Sequence, residues 1–288
     1  MAVGVSDGTR RQLDALHKSH PEWQLLLALW EQVFHEDART TWSAVSATID
    51  PARPPSSPLL ADATIRLSPL AVTDWLRRLL TQITKDYQGQ IALTADLANR
   101  LDPVGLLEAA ISQDEQLISL LANQAGVDPA ALDALAQIMA APTLLACARD
   151  LAVSVPPDWN EGFCPICGAW ATITEQRGLE RSRRLRCGRC GGDWMGVDLR
   201  CPYCKTIDHN SLSSLVPDGA GGSRKVETCR ECMGYMKVMA ALRPWSPNEV
   251  VLADLSTVEL DFVAVDRGFS RPERLATSFR IAIEATGS

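Results

Sequence analysis

Eight of the nine cysteines in this 288-residue chain fall into four Cys-x-x-Cys pairs between Cys164 and Cys232. They read Cys164-Pro-Ile-Cys167-Gly, Cys187-Gly-Arg-Cys190-Gly, Cys201-Pro-Tyr-Cys204-Lys and Cys229-Arg-Glu-Cys232-Met-Gly. Two thiolates three positions apart on a tight turn grip one ion while amides of the turn point back at the sulfurs. A glycine after the second cysteine relieves the positive φ often needed there. Such knuckles, two to a site, make closed tetrahedral centres of four sulfurs. Dithiol redox chemistry of the thioredoxin kind would need a βαβ context that this region lacks.

The spacing favours pairing the knuckles in order. Nineteen residues separate Cys167 from Cys187 and 24 separate Cys204 from Cys229, but only 10 lie between Cys190 and Cys201, short for returning a strand across a ribbon. Residues 170–175 and 179–186, joined at Arg177-Gly178, read as a hairpin that brings the first two knuckles together. Residues 211–216 and 225–228, joined by a turn at 217–222, do the same for the second two. One site is therefore expected from Cys164, Cys167, Cys187 and Cys190, and another from Cys201, Cys204, Cys229 and Cys232. A cross-braced arrangement is the alternative. Four thiolates suit Zn2+ or a single rubredoxin-type iron, and the ligand list does not separate them. With every coordination position filled there is no place for substrate or water, so Lewis-acid catalysis is disfavoured and no catalytic residue is assigned.

Upstream the chain has a different grammar. Trp23, Leu26, Leu27, Trp30, Val33 and Phe34 follow helical spacing, as do Trp75, Leu76, Leu79, Leu80 and Ile83. Further helices are expected around Val104, Leu107 and Ile111, around Leu117, Leu120 and Leu121, and from Asp128-Pro129 towards Leu151. Residues 50–58 hold four prolines in nine positions and read as a linker or arm. The Val153-Ser154-Val155-Pro156-Pro157 stretch ends the helical pattern. The expected architecture is α+β: an N-terminal all-α helical domain over 1–155, then two small rubredoxin-like or zinc-ribbon metal-binding modules over 156–200 and 201–245. A C-terminal segment over 246–288 is expected to pack on the ribbons. His17, His20 and His35 have no ligand spacing and read as ordinary histidines, and Cys147 as a buried small hydrophobe.

Charge narrows the partners. The chain carries a net charge of -7, which argues against a generalised nucleic-acid binder. Residues 161–240 hold 12 basic and 9 acidic side chains, and eight thiolates with two divalent ions would bring the module close to neutral. Arg177, Arg181, Arg183, Arg184, Arg186 and Arg189 form a basic strip on the first hairpin, read as a solvated strand face, with an anionic protein or a nucleic acid as the alternatives. No apolar run is expected to reach the roughly 20 residues of a spanning helix, since the stretch from Ile138 to Cys147 is interrupted by Pro142. No export segment follows Arg10-Arg11.

Beyond the knuckles, the chain carries Leu185-x-Cys187-x-x-Cys190-x-x-x-Trp194, Arg200-Cys201-x-x-Cys204 and Glu227-Thr228-Cys229-x-x-Cys232-x-x-Tyr235-x-Lys237. These are followed by Ala253-Asp254-Leu255-Ser256-Thr257, Leu260-Asp261 and Gly268-Phe269-Ser270-Arg271. The pattern, spanning about residues 160–271, resembles the formate dehydrogenase accessory protein family, FdhE, and departs from it at Ala171, where proline is expected. The resemblance implies a cytoplasmic, non-enzymatic assembly factor that acts on the catalytic subunit of formate dehydrogenase. It also implies rubredoxin-like iron on the cysteines, so the expected cofactors are two metal ions, iron or zinc. A rubredoxin-like electron carrier and a zinc-ribbon nucleic-acid-binding protein are the other classes considered. Asp254 and Asp261 are noted as candidate contact residues.

Overall fold

The computed structural model describes residues 6–86, 93–94, 96–217, 223–272 and 275–286. It divides into two compact units. The first comprises the chain up to Pro55, Leu59–Leu151 and the residues from Ser278 on; the second comprises Ser56–Pro58 and Ala152–Thr277.

In the first unit, apolar residues at helical spacing become α1 (Asp7–Ser19), α2 (Gln24–Asp37), α3 (Pro69–Asp86), the single turn α4 (Leu97–Arg100), α5 (Pro103–Ser112), α6 (Glu115–Ala125) and α7 (Pro129–Leu151). Several starts are capped as their sequences dictate: Ser6, Asp102 and Asp114 accept from amides of the first turn, and Pro103 supplies a pre-set φ at the head of α5. Trp42 and Trp75 are fully buried, and their indole N–H groups donate to the Glu36 carboxylate (2.8 Å) and to the Met139 carbonyl (3.0 Å). Leu120, expected on the buried stripe of α6, is 52% exposed.

Two details of this unit differ from the sequence expectation. The helices are accompanied by a small sheet in the order β1 (Ser46–Thr48), β2 (Thr64–Leu67), β9 (Ala282–Ala285). Its last strand lies parallel to β2, with Ile283 opposite Ile65 and Glu284 paired with Arg66 at 3.0 Å. The end of the chain therefore closes an edge of the helical unit, whereas the whole of 246–288 was expected on the ribbons. Secondly, α7 runs through Pro142 without a break and is long and apolar enough, by length and composition, to cross a membrane. It serves as a core helix: 67% of its most apolar window is buried inside the protein, Cys147 included.

The second unit is built on one six-stranded sheet, in the order β5-β4-β3-β8-β7-β6. The strands are β3 (Ile173–Arg177), β4 (Ser182–Arg186), β5 (Asp193–Met195), β6 (Leu212–Leu215), β7 (Arg224–Cys229) and β8 (Gly234–Ala241). Both expected hairpins, β3–β4 and β6–β7, are antiparallel pairs; the turn expected between the second pair lies, from 218 to 222, outside the described residues. The two ribbons, expected as separate modules, are fused by a parallel seam in which Ile173 faces Lys237 and Arg177 faces Ala241. Helices α8 (Pro247–Leu255) and α9 (Val258–Asp266) cover one sheet face, Val250 and Ala253 meeting Ile173 and Met239. Leu260 and Ala264 meet Val226 and Tyr235. Ser246 and Glu249 close a reciprocal capping box at the start of α8.

Candidate metal centres

The structure brings the eight cysteines together in two groups: Cys164, Cys167, Cys187 and Cys190, and Cys201, Cys204, Cys229 and Cys232. Within each, the four sulfurs lie within 4.8 Å of one another. Cys164–Cys190 and Cys167–Cys187 are 3.4 and 3.5 Å apart, and Cys201–Cys232 and Cys204–Cys229 are each 3.7 Å apart. These are not bonded sulfurs. A tetrahedron with metal–sulfur bonds of about 2.3 Å has edges of about 3.8 Å, so each group is close to the size that one ion requires. Among the described residues these are the two groups of potential ligands, and the histidines belong to neither.

Turn geometry builds the knuckles. The residue after each second cysteine has positive φ: Gly168 (73°), Gly191 (74°), Lys205 (64°) and Met233 (54°). In the first three knuckles its amide donates to the carbonyl of the first cysteine at 3.0 Å. Amides also point at the sulfurs: those of Tyr203 and Cys204 bond Cys201, and those of Glu231 and Cys232 bond Cys229. A glycine two positions past the second cysteine closes each centre. A Cβ on Gly192 would stand 2.7 Å from the Cys164 sulfur, and one on Gly234 would stand 2.5 Å from the Tyr203 ring and 3.1 Å from the Cys232 sulfur. At Gly192 sulfur packs against bare backbone, and at Gly234 the Tyr203 ring does so beside the Cys232 sulfur.

The thiols cannot all ionise unaided. Burial drives Cys164 well above its ordinary pKa, while bonds from Cys164, Cys167 and Cys190 hold Cys187 well below it. In the second group burial pushes Cys201 up, and Cys232 up to about 11. A cation at the centre would supply the positive charge that lets four thiolates coexist. The two four-cysteine groups could each hold a metal ion, and the donor set admits zinc or iron. They differ in access: all four thiols of the first are buried, whereas Cys204 and Cys232 of the second reach the surface.

Around the centres, charged side chains are paired. In the first ribbon the buried Glu175 carboxylate accepts from Arg186 and Arg177 and from the Trp245 amide, while Asp193 takes Arg177 at 2.8 Å and Arg184 at 2.7 Å. Arg183 pairs with Glu227 at 2.7 Å. Four arginines of the basic strip thus neutralise carboxylates within the sheet and its border, which removes most of the phosphate-binding face that the sequence offered. In the second ribbon Lys237, completely buried, donates to Asp254 at 2.7 Å and to Asp261 at 2.8 Å. Arg271 bonds the same two carboxylates at 3.0 and 2.6 Å, and the Tyr235 hydroxyl donates to Asp261 at 2.8 Å. Asp254 and Asp261, noted from sequence as contact residues, lock α8 and α9 to β8. Trp159, Phe163, Trp170 and Tyr203 form an edge-to-face ladder that runs from the first knuckle to the third.

Fold and site define the class: a two-unit protein in which a helical domain accompanies one sheet bearing twin four-cysteine ribbons. Residues 199–275 match the family model described as FdhE, C-terminal domain. A protein FdhE homolog of Stutzerimonas stutzeri (strain A1501) is 35% identical over 116 residues, covering 39% of this chain and 37% of its own length. One from Aquifex aeolicus (strain VF5) is 29% identical over 119 residues, covering 40% of this chain and 41% of its own length. One from Haemophilus influenzae (strain PittEE) is 27% identical over 201 residues, 69% of this chain and 64% of that relative. The match thus spans less than two thirds of the length of each of these relatives. The crystal structure of the FdhE protein from Pseudomonas aeruginosa shares the fold, with a TM-score of 0.62 and 20% identity over 94% of this chain and 95% of that one. Through its ribbon-bearing half the chain is similar to the FdhE family.

Proposed function

We propose that this protein is an accessory factor for formate dehydrogenase that binds the enzyme's catalytic subunit in the cytoplasm, its two four-cysteine centres each holding one iron or zinc ion. The observation that carries the reading is the pair of closed thiolate centres fused into one sheet, set in a chain with the FdhE C-terminal pattern. When bound, the ions supply structural cross-linking and, if iron, a one-electron couple. Cys164, Cys167, Cys187 and Cys190 would hold one, and Cys201, Cys204, Cys229 and Cys232 the other. The protein's own residues do the remainder: turn amides fix the sulfurs, and the Lys237 and Glu175 ion clusters fix the strands that carry them. The function asked of such a scaffold is to present a surface, so no catalytic residue is assigned.

The test is genetic and physical together. Cells lacking the chain are expected to make the formate dehydrogenase polypeptides without formate oxidation, and purified chain is expected to bind the isolated catalytic subunit in calorimetry. Full enzyme activity without the chain, together with no heat of binding, would overturn the proposal. A second reading, an electron carrier, rests on the exposure of Cys204 and Cys232 at the second centre. A reversible visible chromophore would favour it, and full function with zinc in both centres would end it.

A further inference from the structure

Beside the second group of four cysteines, on the sheet face opposite α8 and α9, lies a cavity of about 280 Å³ roofed by the loop that carries the third knuckle. Its polar lining includes Arg183, Arg200, Lys225 and Glu227, and the flanks of Cys201 and Cys229 close one side. Leu199, Pro202, Tyr203, Leu212 and Met236 supply apolar wall. We propose that this cavity is a binding site for a monocarboxylate with an apolar body, held by Arg183.

The buried guanidinium is the anchor. Arg183 is 8% exposed, and among the described residues its side chain makes one hydrogen bond, from Nη1 to Glu227. The rest of the planar fork is left for a second oxygen ligand, and a carboxylate is the group whose geometry matches it. The stem is built in: a Cβ on Gly196 would come within 2.9 Å of Arg183 Cγ, so only glycine lets the side chain lie across the end of β5. Glu227 has both oxygens engaged, by Arg183 at 2.7 Å and Lys225 at 2.9 Å, which leaves it no capacity to attract a cation.

Charge decides which anion. Arg183, Arg200 and Lys225 line the cavity with one carboxylate, Glu227, and a divalent ion with four thiolates would add a formal −2, so the lining sums to neutral. A monoanion at Arg183 is tolerable there, whereas a phosphate dianion would meet the tetrathiolate centre at twice the repulsion. The volume exceeds what a bare carboxylate fills, and the apolar wall takes the remainder. The same chemistry can come from a free carboxylic acid or from the C-terminal carboxylate of a protein.

The experiment is calorimetry on the full chain with both centres loaded. The probes are N-acetyl-leucine, N-acetyl-leucinamide, the peptide acetyl-Ala-Ala-Ala-Leu with a free carboxyl terminus, and inorganic phosphate. At least tenfold tighter binding of acid than amide is expected, with phosphate weaker than the acid. R183M is expected to erase the acid–amide difference, and K225M, a more exposed position, to reduce it several-fold while metal content stays unchanged. Binding of free N-acetyl-leucine identifies a small-molecule site, and binding of the peptide alone identifies a protein-terminus site; both support the proposal. Equal binding of acid and amide, absence of binding by both acid and peptide, or an unchanged preference in K225M and R183M would overturn it.

Discussion

Lys205 and Met233 occupy left-handed backbone, at φ of 64° and 54°, in positions that the first ribbon gives to Gly168 and Gly191. A side chain in that region costs roughly 1–2 kcal/mol, part of which glycine gives back through the greater freedom of the unfolded chain. Lys205→Gly is therefore expected to raise stability by about 0.5–1 kcal/mol, read as a higher denaturant midpoint in metal-loaded protein. Gly168→Ala is expected to lower stability by roughly 1–2 kcal/mol. Opposite signs would show that these turns do not set the energy of the knuckles. The buried ion cluster answers to a different rule. Burial pushes the Asp254 carboxyl up, but Arg271 and Lys237 outweigh it and hold it below the usual carboxylate range. A depressed pKa stabilises the fold fully above the unfolded-state value, near pH 4, and that stability is lost as pH falls through the folded value. Asp254→Asn is thus expected to flatten the acid limb of the stability profile below about pH 4 relative to the parent, and equal slopes would contradict it. Lys237→Met, which leaves two carboxylates facing Arg271 alone, is expected to cost about 3–5 kcal/mol in denaturant melts.

The elements that the sequence revealed are those with a local signal. Cysteine spacing and turn residues marked the β3–β4 and β6–β7 hairpins, and apolar residues at helical intervals marked α2, α3, α5, α6 and α7. The parallel seam of β3 with β8 had none, because its register joins residues more than sixty positions apart and each strand read as part of its own ribbon. The return of β9 to β2 was hidden for the same reason. At the candidate site the eight thiols and their grouping were legible from spacing, since loop lengths limit which knuckles can meet. Glu175, Lys237 and Arg183 were not legible as site residues, because a buried charge looks like a surface charge until its partners are placed. The seam has an energetic consequence. As it makes the two ribbons one sheet, Glu175→Ala, which strands the buried Arg186 in the first ribbon, is expected to lower a single melting transition of the whole second unit. Two separate transitions would show that the ribbons fold independently.

For the whole molecule, the two centres differ in access: the first four-cysteine group is wholly buried, whereas Cys204 and Cys232 of the second reach the surface. A chromogenic chelator added anaerobically to the full chain is expected to take one equivalent of metal quickly and the second slowly. Cys204→Ser is expected to remove the fast phase alone. Two equivalents leaving together would contradict the distinction between a sealed centre and an accessible one. The helical unit has its own buried core and a closing strand, β9, paired with β2.

The eight cysteines are expected to make two separate one-ion centres. The most direct test is the metal-to-protein ratio of the full chain purified without oxygen and without added metal, read with its visible spectrum. Two ions per chain are expected, with thiolate-to-metal charge-transfer bands if they are iron and no colour if they are zinc. A ratio of one or less, or four irons with the broad absorption of a cluster, would contradict the account.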